Sequence, residues 1–454
     1  MNAMQMQMEL GELARGRFDR SIDEFIAARL SEGPTGEDRL MEMICERENM
    51  LKALKRVESN KGKPGVDGMK TTQLRGYVRR HWDKIRTDLL EGAHQPFPVR
   101  RAEIPKEGGD TRLLGIPTVL DRLIQQAMAQ VLTKIWDHTF SDYSYGFRPG
   151  RSAHMAIEKA RCYVEDGYTY VVDIDLSKFF DRVHHDRLMH RIATRVRDKR
   201  VLKLIRAYLN SGILIGDVVE DQEEGTPQGG PLSPLLANIV LDELDKELEK
   251  RGLRFVRYAD DVAIYVRSPK AAERVKSSVS RFITRKLKLV VNEAKSAVDR
   301  PWNSKYLGFR ITRYMGKTRI GIHAKSLRRF RDQIREITAR KRGRSQLQIV
   351  KELNEYLRGW KGYFKPGLSA TLAKELDHWI RRRLRAYVWK LWRLPRTKVR
   401  NLKARGVRHK WAMMVGNTRK GEWRLSKNGT LCAALPDSYF TRSLGLVLLG
   451  PTCP

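Results

Sequence analysis

At 454 residues the chain is too long for one ordinary core, so two or three domains are expected. Lysine and arginine number 89 against 53 acidic residues, a net charge of +36 that points to a polyanionic partner through phosphate neutralisation. The four cysteines, Cys45, Cys162, Cys432 and Cys453, are scattered without a Cys-x-x-Cys pair, which excludes a zinc ribbon and suits reduced thiols in a cytosolic protein. The first ten residues lack the basic start and apolar stretch of a signal peptide, and no run is long enough to span a membrane, so a cytoplasmic protein is expected.

In chain order, residues 1–65 read as helical, with Leu40, Met43, Ile44, Met50, Leu51 and Leu54 at three- and four-residue spacings, until Lys61-Gly62-Lys63-Pro64-Gly65 breaks the pattern. Residues 101–114 form two short segments around Glu107-Gly108-Gly109-Asp110, a turn composition that predicts a β-hairpin bearing Lys106 and Arg112. Residues 168–174 are aromatic and β-branched, read as a buried strand, and deliver Asp173 and Asp175 at its C-terminal end. Ser233-Pro234 opens a helix as N-cap and first-position proline, with Leu236, Ile239, Val240, Leu244 and Leu248 on its apolar face and Gly252 closing it.

Residues 255–256 and 262–266 are the strands of a hairpin whose turn carries Asp260 and Asp261, followed by a basic helix near 270–288 and short strands at 289–291 and 306–311. Beyond Lys325 the pattern becomes helical, with Leu327, Phe330, Ile334 and Ile337 inward and Arg328, Arg331, Arg335, Arg340 and Arg342 outward. Two more helices follow, separated by Lys365-Pro366-Gly367, and then a tail rich in arginine and lysine with Trp411 and Trp423 interspersed.

Neighbouring carboxylates in so basic a chain suit Mg²⁺, a hard ion with oxygen ligands, and phosphoryl transfer by two ions roughly 4 Å apart needs carboxylates converging from separate strands. Asp175, Asp260 and Asp261 can supply that set. A lone Asp-Asp at a turn ordinarily satisfies backbone N–H groups and carries little weight by itself. Here it stands in an ordered series: Gly65-Val66-Asp67-Gly68, Ile104-Pro105-Lys106, Arg112-Leu113-Leu114-Gly115-Ile116-Pro117, Ser144-Tyr145-Gly146-Phe147-Arg148-Pro149, Asp175-Leu176-Ser177-Lys178-Phe179-Phe180-Asp181, Pro227-Gln228-Gly229-Gly230-Pro231-Leu232-Ser233-Pro234, Tyr258-Ala259-Asp260-Asp261 and Tyr306-Leu307-Gly308-Phe309. In these motifs and their order the chain resembles the reverse transcriptases encoded by bacterial group II introns, over nearly its whole length.

The resemblance implies an α+β right-hand polymerase fold: fingers and palm with an antiparallel sheet and packed helices over 1–320, including the helical extension 1–65; a helical thumb or maturase domain over 321–390; and a small basic DNA-binding domain over 391–454. It implies two Mg²⁺ ions held by Asp175, Asp260, Asp261 and the Leu176 carbonyl. It implies nucleotide binding by Lys106, Arg112, Gln228 and Phe180, the last excluding a ribose 2′-OH. Tyr258 and Lys295 fall where the family meets primer and template, and Asp173 points to the same face as Asp175 by strand alternation. Arg328, Arg331, Arg335, Arg381, Arg382 and Arg385 would follow an RNA backbone by its phosphates.

The segments Leu353-Asn354, Leu357-Arg358-Gly359-Trp360, Tyr363-Phe364 and residues 379–385 resemble the maturase part of the family, which implies binding of the host intron RNA to assist its splicing. Further partners so implied are target DNA and dNTPs, in a bacterial cytosol and at the nucleoid through DNA, with monomer and homodimer both open. Nothing like the family's histidine-, asparagine- and cysteine-bearing endonuclease follows the tail, so the resemblance is to the endonuclease-lacking lineage. Two rival readings are a host-adopted reverse transcriptase serving repair, phage defence or sequence diversification, and a non-catalytic RNA-binding splicing factor.

Overall fold

The computed structural model describes residues 39–105, 111–215, 218–220, 229–339 and 343–450. Residues 1–38, Lys106, Gln228, Arg340, Arg342 and the side chain of Arg112 lie outside the described residues. The chain divides into two compact units, Met1–Ser304 and Lys305–Pro454.

In the first unit, helices α1 (Leu40–Cys45), α2 (Arg47–Ser59) and α3 (Thr71–Leu90) supply Leu40, Ile44, Met50 and Leu54 to one core, while Leu51 is exposed. The expected hairpin is present as β1 (Val99–Pro105) and β2 (Thr111–Ile116), antiparallel from Arg100↔Ile116 to Pro105↔Thr111. It is followed by α4 (Val119–Trp136), whose first turn is capped by Thr118 Oγ1 accepting from the Asp121 N–H. Gly65 of the first glycine motif packs here, since a Cβ on it would stand 2.6 Å from Thr118 Cα.

Helix α5 (Ala153–Glu165) precedes β3 (Tyr170–Ile174), and α6 (His185–Ala193) and α7 (Lys199–Leu209) precede β4 (Ile213–Ile215) and β5 (Val218–Glu220). Strand β4 runs parallel to β1, so the hairpin becomes a sheet of order β2-β1-β4-β5, two strands more than the sequence pattern foretold. Helix α8 (Ser233–Lys250) does open at the serine-proline pair, but Leu232 is its N-cap and Ser233 lies inside the first turn, buried.

Strands β6 (Arg254–Tyr258) and β7 (Asp261–Val266), helix α9 (Pro269–Phe282) and strand β8 (Ala297–Asp299) complete the unit. The central sheet has the order β6-β7-β3-β8 with every neighbour antiparallel. Val262 to Val266 are all buried, the apolar run expected of a strand covered on both faces. The strand expected at 289–291 is reduced to a single bridge, Leu176↔Val291, and the edge strand is β8 instead.

In the second unit, β9 (Phe309–Tyr314) and β10 (Lys317–Ile322) form a hairpin. Its two-residue turn uses Met315 and Gly316, both in the left-handed region at φ 46° and 75°, as the twist of a tight hairpin requires. Three helices follow as anticipated: α10 (Ala324–Ile337), α11 (Gln346–Phe364) and α12 (Ala370–Leu391). Phe330, Ile334, Leu353, Leu357, Trp360, Leu376, Ile380 and Leu384 bury their common core.

The basic tail is itself folded into short helices, α13 (Pro395–Lys403), α14 (His409–Gly416), α15 (Glu422–Leu425) and α16 (Gly429–Ala434). After them residues 445–450 return to the three helices as a strap. Asn354 Nδ2 donates to the Gly445 carbonyl, its Oδ1 accepts from the Val447 N–H, and Lys361 Nζ donates to the Leu448 carbonyl. Asp377, 4% exposed, accepts from the N–H groups of Leu449 and Gly450, both at 2.9 Å. Among the described residues Cys45, Cys162 and Cys432 are free thiols, and no helix is long and apolar enough to cross a membrane.

Because Asp377→Ala strands two buried N–H donors, it is expected to destabilise the second unit by about 2–4 kcal/mol, read as a lowered urea midpoint in the full chain.

Candidate active site

The acidic residues singled out by sequence lie at one end of the central sheet. Strands β6 and β7 pair through Tyr258↔Asp261, which leaves Ala259 and Asp260 as a two-residue turn. Strand β3 pairs with β7 up to Ile174↔Val262, so Asp175 and Asp261 each sit one residue beyond that last pair, on neighbouring strands. Asp261 is exposed and Asp175 and Asp260 are half-buried.

Ala259 holds φ 56°, a left-handed conformation that costs a non-glycine residue roughly 1–2 kcal/mol. What holds it is a buried network. The Arg257 side chain is fully buried; its Nε and Nη2 donate to the two carboxylate oxygens of Asp245 on α8 at 2.7 and 2.5 Å. Its Nη1 donates both to Asn238 Oδ1, at 2.9 Å, and to the Ala259 carbonyl, at 3.0 Å. Burial pushes the Asp245 carboxyl above its ordinary value, and the paired guanidinium opposes that rise.

The motif at 144–149 closes the turn from the other side. The Tyr145 N–H donates to the Arg257 carbonyl, and Asn238 Nδ2 donates to the Gly146 carbonyl. A Cβ on Gly146 would stand 2.2 Å from the Ala259 nitrogen, so only glycine fits. Arg148, buried, donates to Asp137 and to the carbonyls of Ser141 and Ser144, which fixes the loop itself.

Asp175 is held by its backbone. Its N–H donates to Ser296 Oγ and its carbonyl accepts from the Asn292 N–H, so the segment bearing the exposed Lys295 runs directly beside it. Leu176 is buried and bridged to Val291. Asp173 is engaged elsewhere. Ser304 Oγ donates to its Oδ2 at 2.5 Å, and although the residue is partly exposed its carboxyl is enclosed, with burial pushing it up to about 6. Phe179 is core and Phe180 is only half-buried, packed edge-on at 5.1 Å, which separates the two phenylalanines that the sequence left alike. Tyr258 is half-buried, with the Phe147 ring 6.1 Å away.

The six arginines expected to meet RNA differ in surroundings. Arg328, Arg331 and Arg335 line an open groove of about 440 Å³ on α10 together with Asp332. Arg385 is a correction: it is 5% exposed and its guanidinium donates to the Leu435 carbonyl and Asp437, so it ties α12 to the tail. Arg381 pairs with the same Asp437, and Arg382 lies 3.6 Å over the Trp423 ring. Sequence reasoning missed Arg257, Asn238, Asp245 and Ser296; the only trace it had was polar positions interrupting the apolar helix α8 and a cation inside a strand.

Residues 104–311 match the reverse transcriptase (RNA-dependent DNA polymerase) family, and residues 327–406 match the group II intron maturase-specific domain. The protein YkfC of Escherichia coli K12 is 34% identical over 300 residues, 57% of this chain and 79% of YkfC. The group II intron-encoded protein LtrA of Lactococcus lactis is 37% identical over 206 residues, 45% of this chain and 34% of LtrA. The chain belongs to the group II intron reverse transcriptase and maturase family. An uncharacterised 91 kDa protein in a cob intron of Schizosaccharomyces pombe is a further relative, 35% identical over 214 residues, 47% of this chain and 26% of its own length.

As a family member the chain is an RNA-directed DNA polymerase with a maturase domain, and reverse transcriptase domains work with divalent metal ions. The residues at the sheet end fit such an ion in chemistry, since all the donors are carboxylate or carbonyl oxygens. Among the described residues no three histidine, cysteine, aspartate or glutamate side chains converge closely enough to hold one, and Asp260 and Asp261 are each engaged by other groups. Three like charges on adjacent strands repel one another, which favours that open arrangement.

Asp245→Asn leaves the buried Arg257 guanidinium without its counter-charge and is expected to destabilise the first unit by about 3–5 kcal/mol in denaturant titration. A cost below about 1 kcal/mol would mean that the network does not hold the turn.

Proposed function

We propose that the chain copies its own intron RNA into DNA during retrohoming and assists the splicing of that RNA. The observation that carries the reading is the register that sets Asp175 and Asp261 on adjacent strands, beside the turn bearing Asp260, in a chain of net charge +36. Asp175, Asp260, Asp261 and the Leu176 carbonyl would hold two Mg²⁺ ions, whose chemistry is to neutralise charge developing on the attacking and leaving oxygens.

Everything else falls to the chain's own side chains. Lys106 and Arg112 bind the triphosphate, the guanidinium through paired contacts. Phe180, exposed enough to be touched, rejects a ribose 2′-OH by contact, and Gln228 orients the incoming nucleotide. Tyr258 and Lys295 meet the primer and template strands.

The first unit corresponds to fingers and palm, α10 to α12 to a thumb that also reads intron RNA, and the short helices after Pro395 to a module for target DNA. Support for the RNA surface comes from charge distribution: residues 305–331 contain nine lysines and arginines and no acidic residue. Arg328 and Arg331 belong to that run and Arg335 follows it. Intron RNA, target DNA and dNTPs are the partners on this reading.

Extension of a DNA primer on an RNA template with Mg²⁺ is expected for the intact protein and not for the Asp260→Ala, Asp261→Ala double variant of matched thermal stability; extension by both would remove the acids from the mechanism. Affinity for intron RNA is expected to fall on the order of a thousandfold between roughly 50 and 200 mM monovalent salt, and a flat titration would contradict phosphate contact as the basis of binding.

A further inference from the structure

The tip of the β9–β10 hairpin belongs to none of the motifs above. A two-residue turn with both residues left-handed ordinarily takes Asn-Gly, Asp-Gly or Gly-Gly, because those residues reach positive φ at little cost. Here the first position is Met315, at φ 46°, and it is 84% exposed, more than any other large apolar residue among those described. The fold gains nothing from that choice, since asparagine would suit the turn better and the methionine side chain buries almost no surface. One exposed methionine needs no explanation, but one held out in a strained turn points to a partner.

Its neighbours say what kind. The ladder sets Lys317 opposite Tyr314, Arg319 opposite Thr312 and Gly321 opposite Arg310, so Arg310, Tyr314, Lys317 and Arg319 share one face of the ribbon, and all four are exposed. The other face is the anchor, with Phe309, Ile311 and Ile322 buried. Tyr314 is 59% exposed, and the Arg319 guanidinium lies over its ring, 5.5 Å from the centroid, a contact that restrains the ring without covering it. No acidic residue occurs between 305 and 331, so the sequence around the ribbon supplies no counter-charge. An accessible aromatic ring set among cations is a composition that stacks a base while its phosphates are neutralised.

We infer that the hairpin tip is a base-stacking site for single-stranded RNA: Tyr314 stacks an unpaired base, the flexible Met315 thioether wedges against the next one, and Arg310, Lys317 and Arg319 meet the phosphates along the ribbon. This rests on the reading of the second unit as RNA-binding. A paired helix does not fit the tip, because in A-form RNA the bases cover one another and turn only their edges outward. The α10 arginines, on the same reading, meet phosphates and so do not separate paired from unpaired RNA.

Fluorescence anisotropy of labelled oligo(rA), and of the oligo(rA)·oligo(rU) duplex, titrated with the full chain tests this. Tyr314→Ala is expected to raise Kd for the single strand about tenfold, the weight of one base on one ring, and to leave Kd for the duplex within about twofold. The dependence of Kd on salt is expected to keep its slope, since no cation is removed. Tyr314→Phe is expected to restore binding, because the ring rather than the hydroxyl stacks. Met315→Asn, which suits the turn better, is expected to keep or raise the thermal midpoint and still weaken single-strand binding about fivefold. Equal losses on the single strand and the duplex, a changed salt slope or failure of Tyr314→Phe to restore binding would each overturn the inference. So would single-strand binding that neither variant moves, which would leave the tip to a protein partner. If the unaltered chain does not bind oligo(rA), the RNA-binding reading falls and the inference with it, whereas tight binding untouched by the variants removes the inference alone.

Discussion

One buried guanidinium governs this molecule. Taking Arg257 fully out of water is unfavourable by several kcal/mol, and it is tolerated because every nitrogen has a partner: two on Asp245, and one shared by Asn238 and the Ala259 carbonyl. That last bond is the consequential one. It holds a non-glycine residue in a left-handed conformation immediately before Asp260, so the angle at which the acidic pair leaves the sheet is set from inside the core.

Three of the motif glycines share one reason, close approach to another stretch of backbone. Gly146 lies against the acidic turn, Gly229 against the Gly115 carbonyl, Gly65 against Thr118. In each case the partner lies in or beside another motif, so short segments scattered along the chain turn out to be the two sides of single contacts. In the second unit Gly308 at φ 85° meets side chains instead, those of Phe364 and Ser326, and Tyr363 donates to the Leu307 carbonyl. There the motif at 306–309 is locked to helix α11, within the stretch that matches the maturase-specific domain.

Much of this was legible in the sequence. The β-branched run into Asp175, the hairpin around Asp260 and the apolar periodicity of α10 to α12 all announce themselves locally, because a buried strand and an amphipathic helix depend on nearest neighbours along the chain. What was not legible depends on distant partners. Arg257 looks like an ordinary strand cation until Asp245 is known to face it. Strands β4, β5 and β8 are three residues each, too short for any period to show. Arg385 shares the spacing of surface arginines, and only the returning tail with Asp437 draws it inside.

The distances along the chain have a consequence for the sequence in which the first unit can form. Asn238 reaches Gly146 across 92 residues, Asp175 reaches Ser296 across 121, and Asp173 reaches Ser304 across 131. Contacts of such long loop closure form late in folding. A chain emerging from the ribosome can therefore complete its local hairpins and its helices first, and the end of the central sheet comes into order only once nearly all of the first unit has been synthesised.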